Sequence, residues 1–406
     1  MTKIAIIGFG VVGSGAYEVI RTNQAHITET AGMPIDIKYI LDIRDFSAHK
    51  EAHLFVNDVN VIANDDEVSV VVETMGGLEP ANTFTRLMLS KGKTVVTSNK
   101  ELVATYGDEL FEIACQNGCA YYYEASVGGG IPIIRPLANC LAANEIEAIA
   151  GILNGTTNYI LTRMFSENVS FESALKEAQE KGYAEKDPTA DVEGLDTGKK
   201  ISILSSMING QKINHEDVHT EGITSITLSD TVFAKKFGYS IKLIGSCRRV
   251  ADKYAVVVAP MLVSEKSMIS GVSDVFNAIS VTGNMLGESL FYGNGAGKLA
   301  TASAVVADVI DAVRNRARKF KAPWTSSDKN VLIDYEDITS AMYVLAKPES
   351  TDGFDEAVSQ IFASSLKIEY ADGYAAFIAP ADKIGIIKEK LSKIPAKICN
   401  TIMVME

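Results

Sequence analysis

An apolar run, Ile4–Ile7, leads directly into Gly8-Phe9-Gly10-Val11-Val12-Gly13, and Val11 to Thr22 then reads as a helix. A strand that turns this abruptly into a helix constrains the fold strongly. The G-x-G-x-x-G pattern is weak alone; with a strand before it and a helix after it, it gains a mechanism. The first glycine permits the tight turn. The second lets backbone approach a pyrophosphate, and the third lets helix and strand pack closely. The helix start adds unpaired N–H groups and a positive dipole end. Gly8, Phe9, Gly10, Val11, Val12 and Gly13 are therefore candidate dinucleotide contacts, against the plainer alternative of a glycine-rich turn without a ligand.

The rest of residues 1–130 continues the rhythm. Ile35–Leu41, Val68–Glu73, Thr94–Thr97 and Ala120–Glu124 read as further strands, with Pro80 and Gly92 bracketing a helix. Strands alternating with helices imply βαβ units and a parallel sheet covered on both faces, a Rossmann-type α/β domain. Residues 131–298 change character. Strands are expected at Ile146–Leu153, Tyr254–Val263 and Ala278–Thr282, and helices at Ser170–Lys181 and Thr197–Ile208, an α+β domain for substrate and dimerisation. A long helix over 299–320 is expected to complete the first domain, and 321–337, with Pro323 and Trp324, reads as a linker. Residues 338–406 follow the order β-α-β-β-α-β: strands Ile338–Ala346, Leu366–Ala371, Tyr374–Ile378 and Ile398–Met405, and helices Phe354–Ser364 and Ala381–Ile394. Asp372-Gly373 is the hairpin signal within this ferredoxin-like pattern.

Composition narrows the partners. Lys and Arg number 38 against 51 Asp and Glu, a formal charge of −13, so a nucleic-acid or anionic-membrane partner is not expected. Apolar stretches of about ten residues fall short of the ~20 a membrane helix requires. The N-terminus lacks the pattern of a signal peptide. Five scattered cysteines read as reduced thiols in a cytoplasmic protein.

Several polar clusters follow strands, where open α/β sheets bind ligands. Asp42 ends the second strand and favours a ribose diol, hence NAD; Arg44 beside it would welcome the extra phosphate of NADP. The reading leans to NAD. Thr74, Met75 and Gly76 follow the third strand, and Ser98 and Lys100 the fourth. Glu124 to Pro132 holds three glycines, which let backbone carbonyls turn inward around a monovalent cation or form a hinge. Asn154-Gly155-Thr156-Thr157-Asn158 offers small polar groups, or a simple turn. Lys181 to Lys200 carries Glu185, Asp187, Asp191, Glu193 and Asp196. A solvated acidic loop is one reading, and a calcium loop fails on spacing. The alternative is functional: Asp196 and Lys200 are four apart, hence on one helix face, and would present both signs to a zwitterion. His215-Glu216-Asp217-Val218-His219 matches H-E-x-x-H literally. Its surroundings lack the long amphipathic helix a zinc protease needs, so that reading is set aside.

Taken together, IAIIGFGVVGSG, ETMGGLEPA, TSNKELVA, YEASVGGGIPII, GILNGTTNYIL, KGYAEKDPTADVEGLDTGKK and FYGNGAGKLATASAVVAD resemble homoserine dehydrogenases over about residues 1–335. The resemblance implies reversible interconversion of L-homoserine and L-aspartate 4-semialdehyde with NAD(P). It places the two catalytic lysines at Lys100 and Lys200, and homoserine-binding acids at Glu185 and Asp196, with Tyr183 and Thr156 lining the pocket. It also implies a sodium site, mainly of backbone carbonyls, at Glu124, Val127, Gly129 and Ile131, and a cofactor-side turn at Gly295 and Gly297. Gly198-Lys199 stands where relatives often carry Ala-Arg. The C-terminal segment resembles an ACT regulatory module, which implies threonine as effector. A homodimer or homotetramer is the implied assembly. Another amino-acid semialdehyde or hydroxy acid as substrate, and a non-catalytic amino-acid sensor, are the competing readings. Two lysines suited to proton transfer argue against the sensor.

Overall fold

The computed structural model describes residues 1–327, 329–363 and 366–405. Its contacts divide the chain into two compact units: Met1–Glu145 with Ser202–Asp217 and Phe291–Asp328, and Ile146–Ile201 with Val218–Leu290 and Lys329–Glu406.

The first unit is built on strands β1 (Thr2–Ile7), β2 (Ile35–Leu41), β3 (Phe55–Val56), β4 (Val68–Glu73), β5 (Thr94–Thr97) and β6 (Tyr121–Tyr122). They form a sheet in the order β3-β2-β1-β4-β5-β6, with every pair parallel. Both faces are covered, which is why β1 and β4 read as nearly unbroken apolar runs. Helices α1 (Val11–Thr22), α2 (Gln24–Ala31), α3 (Val59–Ala63), α4 (Ala81–Ser90) and α5 (Lys100–Gln116) alternate with the strands. The later helix Lys298–Arg314 packs beside α1. A Cβ on Gly15 would lie 2.7 Å from the Lys298 carbonyl oxygen and 3.0 Å from Ala302 Cβ, so only glycine permits this approach. The helix stops at Asn315, short of the expected Phe320. There the Asn315 amide and backbone N–H both donate to the Asp311 carbonyl and close the last turn.

Burial creates a titratable group in this unit. Asp308, wholly buried on that helix, accepts the Glu124 N–H at 2.8 Å. Burial pushes its carboxyl up to about 8, against the pull of Arg135. The folded state therefore holds a proton that the unfolded state releases, and this group's stabilising contribution is lost as pH rises from about 4 to 8. Asp308→Asn keeps an acceptor without the charge. It flattens the melting-temperature profile over that range and raises the melting temperature at pH 9 by several degrees, measured by calorimetry.

The second unit carries β7 (Ile146–Ile152), β8 (His219–Thr220), β9 (Tyr239–Val250), β10 (Lys253–Ser264), β11 (Phe276–Gly283), the first half of β12 (Gly287–Asn294), β13 (Thr339–Pro348), β14 (Ile368–Ala371), β15 (Tyr374–Lys383) and β16 (Ala396–Val404). Their order is β12-β11-β7-β9-β10-β16-β13-β15-β14, with β8 beside β10. Helices α6 (Gly155–Glu167), α7 (Phe171–Glu180) and α8 (Thr189–Val192) follow β7, and then α9 (Leu195–Asn209), of which residues 195–201 belong to this unit. The expected domains 1–130, 131–298 and 338–406, joined by 321–337, differ from these units. Strand β16 pairs in parallel with β10 and antiparallel with β13, so the C-terminal segment continues the second unit's sheet. The element order of that segment is β-α-β-β-α-β. Its first helix is Phe354–Phe362; the expected end at Ser364 lies outside the described residues, as does Glu406. Asp372 and Gly373 take φ of 51° and 78°, the left-handed pair of a tight hairpin.

Candidate functional site

In the first unit the sheet's carboxyl end carries the glycine turn. Gly8 has φ +89°. A Cβ on Gly13 would lie 1.9 Å from the Gly8 carbonyl oxygen, whereas one on Gly10 meets nothing within 4 Å. So Gly13 is bare because strand and helix touch there, and Gly10 is bare while facing open space. The start of α1 has no side-chain cap. Its N–H groups suit a phosphate, and the turn fits a nicotinamide dinucleotide. Val11 is 67% exposed at that helix start, with Val12 beside it.

Asp42 accepts the Phe9 N–H through Oδ2 at 2.7 Å, which fixes the strand end to the turn. Arg44 grips the same carboxylate with Nε at 2.9 Å and Nη2 at 2.7 Å. The Arg44 guanidinium and these N–H groups hold the Asp42 carboxyl far below its usual range. Phe9 sits in an aromatic cluster with Tyr17, Phe46, His49 and Phe55.

The loops after β4 and β5 bring Thr74, Met75, Gly76, Ser98 and Lys100 to the same end of the sheet. Thr74 Oγ1 donates to the Gly8 carbonyl at 2.8 Å. Gly76 and the neighbouring Gly77 take positive φ. Asn99 caps α5 by accepting the Leu102 N–H, and Lys100 opens that helix. Gly297 (φ 121°) precedes the helix Lys298–Arg314. Gly129 (φ 57°) approaches Gly295 so closely that a Cβ would lie 2.2 Å from its carbonyl oxygen.

The Glu124 side chain is occupied within the protein. It accepts N–H groups of Ile133, Ile134 and Arg135 and pairs with the Arg135 guanidinium. Any cation role therefore falls to backbone carbonyls. Gly128 and Gly129 with positive φ, next to Val127 and Ile131, give the chain the freedom to turn such oxygens to one point.

In the second unit, Asp196 and Lys200 meet one turn apart on α9. The Lys200 ammonium donates to Asp196 Oδ2 at 2.7 Å and to the Leu153 carbonyl at 2.7 Å. Both side chains are largely buried, with 12% exposure for Lys200 and 7% for Asp196. Asn154 completes the arrangement. It caps α6 by accepting the Thr157 N–H, and its amide donates to Asp196 Oδ2 at 2.9 Å and Asp191 Oδ1 at 2.7 Å. Thr156 Oγ1 donates to the Tyr183 carbonyl at 2.6 Å, and the Tyr183 ring meets Tyr159 edge-on. Glu185 stands exposed on the loop before α8. A Cβ on Gly198 would meet Thr220 Oγ1 at 3.5 Å, an ordinary van der Waals contact, so this position has room for an alanine.

From sequence, Asn154 and Asp191 stood only within wider polar clusters and neither was singled out. The Asn-x-x-Thr spacing is a helix-cap signal, whereas nothing local separates Asp191 from the other acids of its loop. His215 and His219 do not share a helix face. His215–Asp217 is a single 3-10 turn, and His219, on β8, stacks on Tyr335 at 3.4 Å and bonds Glu221. Among the described residues no cluster of metal-ligating side chains is found, and no helix is long and apolar enough to cross a membrane.

Comparison with known proteins supports one family across both units. The model of the homoserine dehydrogenase NAD binding domain matches residues 8–124, and that of homoserine dehydrogenase itself matches 132–310. The chain is 42% identical to homoserine dehydrogenase of Bacillus subtilis (strain 168) over 317 residues, covering 77% of this chain and 73% of that protein. It is 41% identical to that of Synechocystis over 340 residues, covering 82% and 76%. A homoserine dehydrogenase structure from Thiobacillus denitrificans superimposes with a TM-score of 0.92 at 34% identity, covering 100% of this chain and 98% of that one. A hyperthermophilic archaeal homoserine dehydrogenase mutant, solved in complex with NADPH, gives 0.66 at 27% identity, covering 79% and 99%. With a nucleotide turn in one unit, a buried acid–lysine pair in the other and relatives above 40% identity over most of its length, the chain belongs to the homoserine dehydrogenase family.

Proposed function

We propose that the protein reversibly oxidises L-homoserine to L-aspartate 4-semialdehyde, and that Lys200, Asp196 and Lys100 carry the chemistry. The observation behind this reading is the buried Lys200–Asp196 pair, held by Asn154 beside Asp191. Asp196 and Glu185 hold the substrate ammonium, with Thr156 and Tyr183 beside them. A nicotinamide dinucleotide held at the glycine turn would supply the hydride acceptor for C4, and on oxidation the hydroxyl proton passes to a lysine amine. On reduction an ammonium steadies the growing negative charge and returns the proton. An ammonium must shed its proton before it can accept one, so homoserine oxidation is faster at alkaline pH. Absorbance at the reduced-nicotinamide band, with L-homoserine and either NAD or NADP, tests the reading. No reduction with either cofactor overturns it, and other hydroxy amino acids in parallel settle the substrate.

NAD is the proposed preference. Asp42 stays charged at the strand end, anchored by Phe9, and opposes a 2′-phosphate. Asp42→Ala frees Arg44 and shifts the ratio of kcat/KM toward NADP by about tenfold, the scale of one charge contact. Steady-state kinetics with both cofactors measure it; an unchanged ratio removes Asp42 from selection.

Backbone carbonyls of Glu124, Val127, Gly129 and Ile131 are proposed to hold a sodium ion. Threonine is proposed as effector of the C-terminal βαββαβ segment; flat activity up to millimolar threonine at saturating cofactor rejects it. The proposed setting is a cytoplasmic homodimer or homotetramer.

A further inference from the structure

The first unit contains a buried carboxylate with no place in the reaction above. Glu73 is the last residue of β4, and it is 1% exposed. An acid buried at the end of a largely apolar interior strand is costly unless something uses it. Its two oxygens are committed to different elements, one loop and one strand. Oε1 accepts the Met75 N–H at 2.7 Å, in the loop after β4. Oε2 accepts the Thr97 hydroxyl at 2.6 Å, at the end of β5. Thr97 Oγ1 in turn accepts the Asn99 N–H at 2.9 Å. Asn99 then acts in two directions. Its amide donates to the Gly77 carbonyl at 2.6 Å, returning to the first loop, and its oxygen caps the helix that Lys100 opens.

These bonds form a closed ring: Glu73 to Thr97, Thr97 to Asn99, Asn99 to Gly77, and Gly77 back through Met75 to Glu73. Gly76 and Gly77 both have positive φ, so the backbone of this loop lacks the usual side-chain restraint. The ring supplies the restraint from below. The loop's first residue, Thr74, also holds the Gly8 carbonyl of the glycine turn. One carboxylate thus underlies the backbone carrying Met75, Gly76 and Lys100.

We infer that Glu73 is a positioning residue, which through Thr97 and Asn99 sets the cofactor-side loop 74–77 and the start of α5 in the register that places Lys100 for proton transfer. It touches neither substrate nor cofactor. The inference rests on the proposed role of Lys100.

Glu73→Gln and Thr97→Val test it. The amide of the first turns a donor toward the Thr97 hydroxyl; the second removes the hydroxyl at nearly constant volume. Each lowers kcat for homoserine oxidation at least about tenfold and weakens NADH binding by a similar factor, because small displacements of reacting groups are expensive. The homoserine KM, set by groups of the other unit, stays within about twofold. Thr97→Ser restores the hydroxyl and recovers most of both losses. Activities are expressed per NADH-binding site, measured by fluorescence titration, and circular dichroism checks folding. Losses that merely follow the folded fraction, unchanged kcat and NADH affinity in both variants, or a failure of Thr97→Ser to recover activity would each overturn the inference. If the wild-type protein oxidises no homoserine, the dehydrogenase reading fails instead. The NADH titration then decides alone: equal affinity in wild type and both variants sinks the ring as a positioning device.

Discussion

Lys200→Arg lowers homoserine turnover by about two to four orders of magnitude while leaving NADH affinity within about twofold. Arginine is the informative choice because of what the side chain does in the fold. The Lys200 ammonium pairs with a buried carboxylate and with the Leu153 carbonyl. Alanine would remove chemistry and also strand Asp196, and breaking a buried pair by removing one partner costs about 3–5 kcal/mol. Loss of activity in Lys200→Ala could then follow from misfolding. Arginine keeps the positive charge and the donors to Asp196, but it does not give up a proton near neutrality, so it neither accepts the hydroxyl proton nor returns one. A variant that melts near the wild-type temperature, binds NADH and turns over slowly assigns the loss to proton transfer. Lys100→Arg receives the same treatment. Wild-type turnover in both variants removes the two lysines from the mechanism.

Legibility in the sequence followed the range of the interactions. The first βα turn was readable because strand, glycines and helix are contiguous and each glycine answers a local need. Asp196 and Lys200 were readable because a helix brings residues four apart to one face. The hairpin at Asp372-Gly373 was readable for the same local reason. Asp191 was not, since its distinction is a hydrogen bond from Asn154, 37 residues upstream. Glu73 was not, because its partners lie on the next loop and the next strand. The division into two units differs from the expected domains for a third reason. The C-terminal segment pairs with the second unit's sheet through β10 and β16, where Met261 faces Met403 and Leu262 faces Val404. Neither strand carries a local mark of so short and distant a parallel contact.

The glycine turn yields a paired prediction that separates folding from binding. Gly13→Ala places a methyl 1.9 Å from the Gly8 carbonyl oxygen and 2.7 Å from Thr74 Oγ1. The nearer atom is backbone, so strand and helix must part. Overpacking of this kind costs about 1–3 kcal/mol and occasionally more. The melting temperature therefore falls, and NADH binding falls with it because the turn loses its shape. Gly10→Ala behaves differently. Gly10 has φ −76°, outside the left-handed region that favours glycine, and a methyl there meets nothing in the protein. Its folding is accordingly unchanged. Yet it fills the space through which backbone approaches the pyrophosphate, so NADH affinity drops by about ten- to a hundredfold at constant melting temperature. Thermal denaturation and fluorescence titration of the two variants measure both quantities. If Gly10→Ala binds NADH as the wild type does, the open face of this turn is not where the dinucleotide lies, even though strand, glycines and helix are all in place.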